Sequence, residues 1–448
     1  MQPTRSHLAK LPKEVFSIIF ELAVGDGDVD VDTLRDICLT CRAWASLAES
    51  LPRLWTNLIV SATSDPERFS LWIQRSRTQP LSLVLPMREY NQDRTLNPKV
   101  MELGVVLLKE YQRWRKADID CMSGIASLRR GWLAAIENRE ATCMEEFTLK
   151  WSGEPMVVPP TSTFPRLHTV VLGRMACLWT PVMLRNTPVI TSLTIDNVEL
   201  SHEFTISQLL TGLTHAPTLQ ELCLNEITWG ISPANPEKTK IISLPDLNIL
   251  SLTAISAVWP LFRALHLPAL SQLVIGDVTE DLSPTFRHVR EMSPAIEALS
   301  TGLWDCQWEQ ETEEALSCLI ASLRRLQTLV VTNAHITDLL LSRLTVCLDK
   351  PEETVAPQLQ RLEVPTDWVT PDALLGMVRS RDKASRSQSI KRLKNLLISG
   401  KEMSAEVCTG LVGLVGELEI VNVAEDPDID ETGSDYTAGS PDSFEQNV

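Results

Sequence analysis

The sequence predicts an α/β fold: a solenoid with a parallel sheet on its concave side and outer helices, a small helical unit before it, and an acidic tail after it. Two observations carry this. One spacing, apolar-x-x-apolar-x-apolar, returns along most of the 448-residue chain. Apolar residues make up 44%, enough for an extended core, while only 18 residues are glycine. Length alone would suggest about three domains, but a repeat array overrides that prior.

The chain opens on a helical unit. In residues 11–60, Val15, Ile18, Ile19 and Leu22 fall at helical spacing, with Pro12 at the helix start, where its missing N–H costs nothing. The acidic stretch around residues 25–32 reads as a loop ending near an N-cap at Asp32. A second helix is predicted over 33–50, with Leu34, Ile37, Cys41, Trp44 and Leu47 or Ala48 on one face; SLPRLW breaks it and Trp55 begins the next element. So small a unit cannot cover two apolar helix faces from within. Its surplus apolar surface is a partner site, or else packs on the first repeats.

The body is the repeat. FPRLHTVVL places Leu167, Val170 and Leu172; TPVITSLTI places Ile190, Leu193 and Ile195; APTLQELCL places Leu219, Leu222 and Leu224. LPDLNILSL, LPALSQLVI, LRRLQTLVV, APQLQRLEV and IKRLKNLLI follow, with weaker forms at Trp114, Met144, Ile296 and Val415. Steps between first positions run from 22 to 34 residues, with a mean near the roughly 20–29 of leucine-rich repeats. The fourth and sixth positions lie two apart, so on a strand they share one side and the fifth takes the other. Such strands are too short to stand alone; stacked in parallel they bury one leucine core. Between them SQLLTGLTHA (207–216) and EEALSCLIASLRR (313–325) read as helices, the second with Leu316, Leu319 and Leu323 on one face. RSRDKASRSQS (379–389) reads as a basic surface loop.

With positions one, four and six in the core, the third, fifth and seventh face the open side. A protein substrate is expected there, at Thr194, Glu221, Cys223, Ser251, Val274, Thr328 and Val330. These are mostly small and neutral, where a face meeting only solvent would more usually carry Lys and Glu.

The tail, residues 424–448, holds eight acids and no Lys or Arg, and is expected to be disordered. With Lys+Arg 41 against Asp+Glu 58, the net charge is −17, which argues against nucleic acid or an anionic membrane as partner. The first apolar stretch is interrupted by Lys13, Glu14 and Glu21, so no signal-peptide core is expected, and no stretch reads as a membrane span. Ten scattered cysteines suggest free thiols and a cytoplasmic or nuclear setting. Cys38 and Cys41 form a C-x-x-C with no second pair or histidine pair, so core packing outweighs zinc. No nucleotide-binding, hydrolase or metalloprotease motif is present. No enzyme activity, metal or cofactor is expected.

The helical unit also carries a resemblance. Leu11, Pro12, Glu14 and Val15, then Ile19-Phe20, then Cys41-Arg42-x-Trp44, then Leu54-Trp55 resemble the F-box motif. Residues 69–85 and 113–119 resemble the linker and first repeat of fungal F-box proteins with C-terminal leucine-rich repeats. The acidic stretch at 25–32 departs from the short turn usual in an F-box. The resemblance implies an F-box at 8–60, a linker and first repeat at 61–112, repeats over 113–423 and the tail beyond. It implies a substrate-recognition subunit of an SCF-type ubiquitin ligase. The Skp adaptor, and through it a cullin, would bind Leu11, Pro12, Val15, Ile18, Ile19, Phe20, Leu22, Cys41 and Trp44. The alternative is a repeat scaffold whose F-box is degenerate and recruits no ligase.

Overall fold

The computed structural model describes residues 11–25, 31–59, 65–86, 98–121, 140–151, 163–174, 177–178, 180–198, 204–229, 241–292, 295–303, 310–332, 337–347, 349–350, 353–365, 369–386, 390–400 and 405–422. The expected disordered tail and most of the acidic insertion lie outside them.

Strands are β1 (Asn57–Ile59), β2 (Leu81–Pro86), β3 (Trp114–Cys121), β4 (Glu146–Trp151), β5 (Thr169–Arg174), β6 (Ser192–Val198), β7 (Glu221–Ile227), β8 (Ile242–Ser243), β9 (Ile249–Ile255), β10 (Leu265–His266), β11 (Gln272–Val278), β12 (Ala298–Leu303), β13 (Thr328–Thr332), β14 (Arg361–Pro365), β15 (Asn395–Gly400) and β16 (Glu417–Asn422). Helices are α1 (Lys13–Val24), α2 (Val31–Thr40), α3 (Arg42–Ser50), α4 (Pro66–Ser76), α5 (Pro98–Lys109), α6 (Thr180–Arg185), α7 (Ile206–Leu213), α8 (Trp259–Ala264), α9 (Ser283–Met292), α10 (Gln310–Ser322), α11 (Asp338–Leu344), α12 (Pro371–Ser385) and α13 (Ala405–Val412).

Among the described residues fourteen strands form one sheet in chain order, and β8 and β10 form a separate two-stranded sheet. Every pairing is parallel, as between β6 and β7, where Leu193 meets Leu222 and Ile195 meets Leu224. This is the repeat architecture that the spacing predicts. The sheet starts earlier than residue 113, because β1 and β2 already pair in register. One apolar core runs from Phe20 to Val415, so the N-terminal helices share an interior with the repeats.

The repeat explains the burial. Leu193, Ile195, Leu222, Leu224, Leu250 and Leu252 are fully buried, while the residues between them on the strands are half-buried. Simple alternation would point Val198, Ile227, Ile255 and Val278 away from the core. Instead the residue before each adopts a left-handed backbone: Asn197 (φ 48), Glu226 (φ 51), Ala254 (φ 53) and Asp277 (φ 51). Arg174 (φ 56) extends the column by one strand. The turn breaks the period of two and sends the next side chain inward. A left-handed non-glycine residue costs about 1–2 kcal/mol; burying the following Val or Ile, worth about 1.5–3 kcal/mol, offsets it.

Neighbouring helices are joined at their N-termini by carboxylates. Thr337 caps α11 and gives its own N–H and hydroxyl to Glu313 Oε1 of α10, both at 2.9 Å. One repeat further, Thr370 caps α12 and donates to Asp338 of α11 at 2.8 and 2.7 Å. Each threonine thus satisfies orphan amides of its own helix while its backbone is held by the helix before.

Three local expectations are corrected. The helix expected over 33–50 is two, α2 and α3, parted at Cys41, whose extended backbone (φ −163, ψ 163) forms the N-cap of α3. Helix α2 starts at Val31 rather than after an N-cap at Asp32. The basic stretch expected as a loop from 379 is helical through Ser385. Arg381 there is fully buried and donates to the carbonyls of Leu344 (3.0 Å), Ala356 (3.1 Å) and Val355 (2.8 Å). A buried arginine that ties down three carbonyls gives α12 an inner face which charge pattern alone reads as surface.

Candidate docking surfaces

Helix α1 has two apolar faces with different fates. Phe16, Phe20 and Val24 are spaced four apart and turn inward. Phe20 is 1% exposed. Its ring lies 5.1 Å from that of Trp44 and 6.1 Å from Phe16, and Phe16 lies 5.5 Å from Trp44. Phe20 therefore leaves the expected adaptor-binding set: it is core. Trp44 is half-buried in the same aromatic cluster, so most of its ring is spoken for.

The opposite face is bare. Ile18 is 58% exposed, Leu22 77% and Ile19 43%, with Leu11 and Val15 also exposed, beside exposed Pro12. Leu39 on α2 is exposed too, at 72%. Cys41 is exposed at the helix break, and burial pushes the Cys38 thiol up from its ordinary value. The unit is anchored from behind: Trp55 Nε1 donates to Ala48 O at 2.8 Å, the Trp55 ring meets Trp72 edge-on at 5.4 Å, and Arg75 stacks on Trp55 at 4.4 Å while pairing with Glu49.

The second surface is the open face of the sheet. Register places Thr194, Cys223, Ser251, Val274 and Val330 in one column, as spacing predicts. It also inserts Ser300 between Val274 and Val330. Sequence reasoning missed Ser300 because its repeat carries Thr301 at the sixth position, where others are apolar; Thr301 is buried with its hydroxyl unpaired. Glu221 and Thr328 lie in the adjacent column, two residues back on their strands. All the expected residues of this face are half-buried. Ser192 donates to Glu221 at 3.0 Å, and Cys223 Sγ lies 3.7 Å from the same carboxylate. Burial, then the Glu221 charge, pushes the Cys223 thiol up to about 11, so it is a neutral small side chain at pH 7.

Toward the N-terminal strands this face becomes charged but self-paired. Lys116 pairs with Glu146 at 2.6 Å, Lys150 with Asp196 at 2.7 Å, and Arg174 with Asp120 at 3.2 Å. Burial and then the Asp120 charge push Asp118 above the ordinary carboxylate range. Of the histidines, His168 shares a hydrogen bond with Thr169 at 3.0 Å, and His288 contacts Phe262 O at 3.1 Å and stands edge-on to Trp259. Among the described residues no group of three or more metal-ligating side chains gathers, and no helix is long and apolar enough to cross a membrane.

No family model matches this chain, and no curated protein matches it. Among solved structures, the chain is similar to a protein of Bacteroides fragilis solved in a structural genomics programme, with 14% identity and a TM-score of 0.30 over 57% of this chain and 66% of that one. The matched region thus spans just under two thirds of that protein.

Proposed function

We propose that this protein is the substrate-recognition subunit of an SCF-type ubiquitin ligase, with α1 to α3 acting as an F-box and the repeats holding a protein substrate. The observation that carries the reading is the divided helix α1. Its Phe16–Phe20–Val24 side is already packed, yet Val15, Ile18, Ile19 and Leu22 remain exposed on this short element, with exposed Leu11 just before it. Four large apolar residues on one helix, with a fifth just before its start, are a surface made to be covered. Their order in the chain, with Cys41-Arg42-x-Trp44 and Leu54-Trp55 behind them, resembles the F-box, which supports the Skp adaptor as the partner. Phe20 and Trp44 then support the docking face from beneath. The neutral column from Thr194 to Val330 lets a substrate backbone approach the sheet closely. A location in cytoplasm or nucleus goes with this reading.

The test is co-purification of the full chain with Skp. Ile18→Asp with Leu22→Asp should abolish recovery of Skp and leave the circular dichroism unchanged. Undiminished recovery would sink the ligase reading and favour a repeat scaffold with a degenerate F-box. For the substrate face, Ser251→Arg with Val274→Arg should block substrate ubiquitination while sparing Skp binding.

A further inference from the structure

Positive charge in this acidic chain is concentrated near one end of the repeats. Of 41 Lys and Arg residues, seven fall in residues 379–394, against a single acid there, Asp382. Asp382 is 6% exposed and already shared: Arg386 Nη2 reaches it at 2.6 Å and Arg392 Nε at 3.1 Å. Two guanidinium groups on one carboxylate leave a net positive charge. Arg392 also donates to the carbonyls of Gly413 (2.9 Å) and Leu414 (3.0 Å), which fixes the turn before β15 against the end of α13. Arg381 is buried on carbonyls and takes no part in the surface.

The rest of this charge is exposed. Arg379, Lys383 and Arg386 follow one another four and three residues apart, so they share one face of α12 and its C-cap. Beside them α13 is bare: a Cβ placed on Gly410 would stand 3.9 Å from Arg379 Nη2, and one placed on Gly413 would meet nothing. Lys391 and Lys394 add two exposed cations from the turn. Cations complement the dipole at a helix C-terminus. That accounts for Lys383 and Arg386 but not for Lys391 and Lys394, which lie beyond the helix. Among the described residues Lys383, Lys391 and Lys394 have no ion-pair partner. Glu417, on the neighbouring strand, accepts instead from Asn395 Nδ2 at 2.6 Å. Cations gathered on one surface repel one another, and anions of a partner relieve that repulsion.

We propose that the basic patch formed by the end of α12 and the turn into β15 binds an acidic peptide segment of a partner protein. In an extended segment, carboxylates on alternate residues recur on one side about every 7 Å. One stretch of chain thus offers several anions in a row to Lys383, Lys391 and Lys394. Nucleic acid is the poorer fit, because its uniform charge would run past this patch onto a chain of net charge −17. The patch is built from a helix end and a turn, apart from α1 and from the open-face column. Its test therefore involves neither Skp nor a ubiquitinated substrate.

The test uses the full chain and fluorescein-labelled hexaglutamate, read by fluorescence anisotropy. Hexaglutamate should bind, and binding should weaken several-fold between about 0.05 and about 0.3 M NaCl. Lys383→Glu with Lys391→Glu and Lys394→Glu should weaken it about tenfold or more. Lys13→Glu with Lys109→Glu and Arg166→Glu makes the same change in net charge on exposed residues elsewhere, and should weaken it about twofold at most. Circular dichroism should match the parent in both. Should the first variant lose its fold, Lys383→Gln with Lys391→Gln and Lys394→Gln decides, with a loss of about threefold or more expected. Equal losses in the two Glu variants would show attraction to charge in general and overturn the proposal. So would the absence of measurable binding at low salt, or tighter binding of a thymidine oligonucleotide of matched charge.

Discussion

Lys150 on β4 reaches across β5 to Asp196 on β6, closing a 2.7 Å ion pair over the backbone of Gly173. A Cβ at residue 173 would stand 2.8 Å from Lys150 Cγ, so the pair exists because the strand between has no side chain there. In a strand, Gly→Ala ordinarily stabilises by about 0.5–1 kcal/mol. Here the sign should reverse: Gly173→Ala should destabilise, because Lys150 must move and Asp196 is left alone. In the background of Lys150→Met the same substitution should become neutral or stabilising. Urea denaturation of the two pairs checks it; a stabilising Gly173→Ala in the parent would refute the crossing.

The two faces of α1 should separate in stability. Phe20→Ala empties a site at the centre of the Phe16–Trp44 cluster and should cost about 3–5 kcal/mol. Leu22→Ala, on the bare face, should stay within about 0.5 kcal/mol. Equal losses would mean that α1 is packed on both sides.

Arg381 should behave as a structural cation. Burial pushes it down to about 10, still protonated at pH 7. Arg381→Met removes three hydrogen bonds and orphans the carbonyls of Leu344 and Val355, while Ala356 O keeps the Leu359 N–H at 3.1 Å. A loss of about 3 kcal/mol or more is expected, with faster amide exchange in α11 and α12. A variant as stable as the parent would show that these carbonyls find water instead.

Asp281 supplies a pH dependence. Burial raises its carboxyl, but donors from Ser283 N (2.8 Å), Ser283 Oγ (2.6 Å) and Thr312 Oγ1 (2.9 Å) outweigh it and hold the group below its ordinary value. With the folded value below the unfolded one, the contribution is complete above the ordinary carboxylate range and fades as pH falls through the lowered value. Asp281→Asn should therefore cost about 1 kcal/mol at pH 7, and the difference should shrink at low pH as Asp281 of the parent becomes protonated in the folded as well as the unfolded state. A difference that grows on acidification would contradict the assignment.

The core positions of the strands were legible in the chain because each repeat reads the same local rule: a period of two, bounded by turns, with leucine inward. The open-face column from Thr194 to Val330 followed from the same rule. Ser300 escaped it, since a polar sixth residue at Thr301 weakens the pattern that would have located it. Arg381 escaped because composition reports the charge of a residue and says nothing of the carbonyls that can solvate it.

What the sequence by itself determined is therefore periodic: strands, their order, and the side of the sheet on which each residue lies. Sequential stacking needs no long-range choice, because each repeat packs on its neighbours in the chain. The tertiary structure decided what periodicity leaves open. Helix α1 offers apolar residues on both sides, and only the placement of Trp44 determines that Phe20 is covered while Ile18 and Leu22 are not. The left-handed turns at Asn197, Glu226, Ala254 and Asp277 are likewise imposed from outside. Asn197 and Asp277 tolerate φ above zero and Glu226 and Ala254 do not favour it; the buried residue that follows each one requires it.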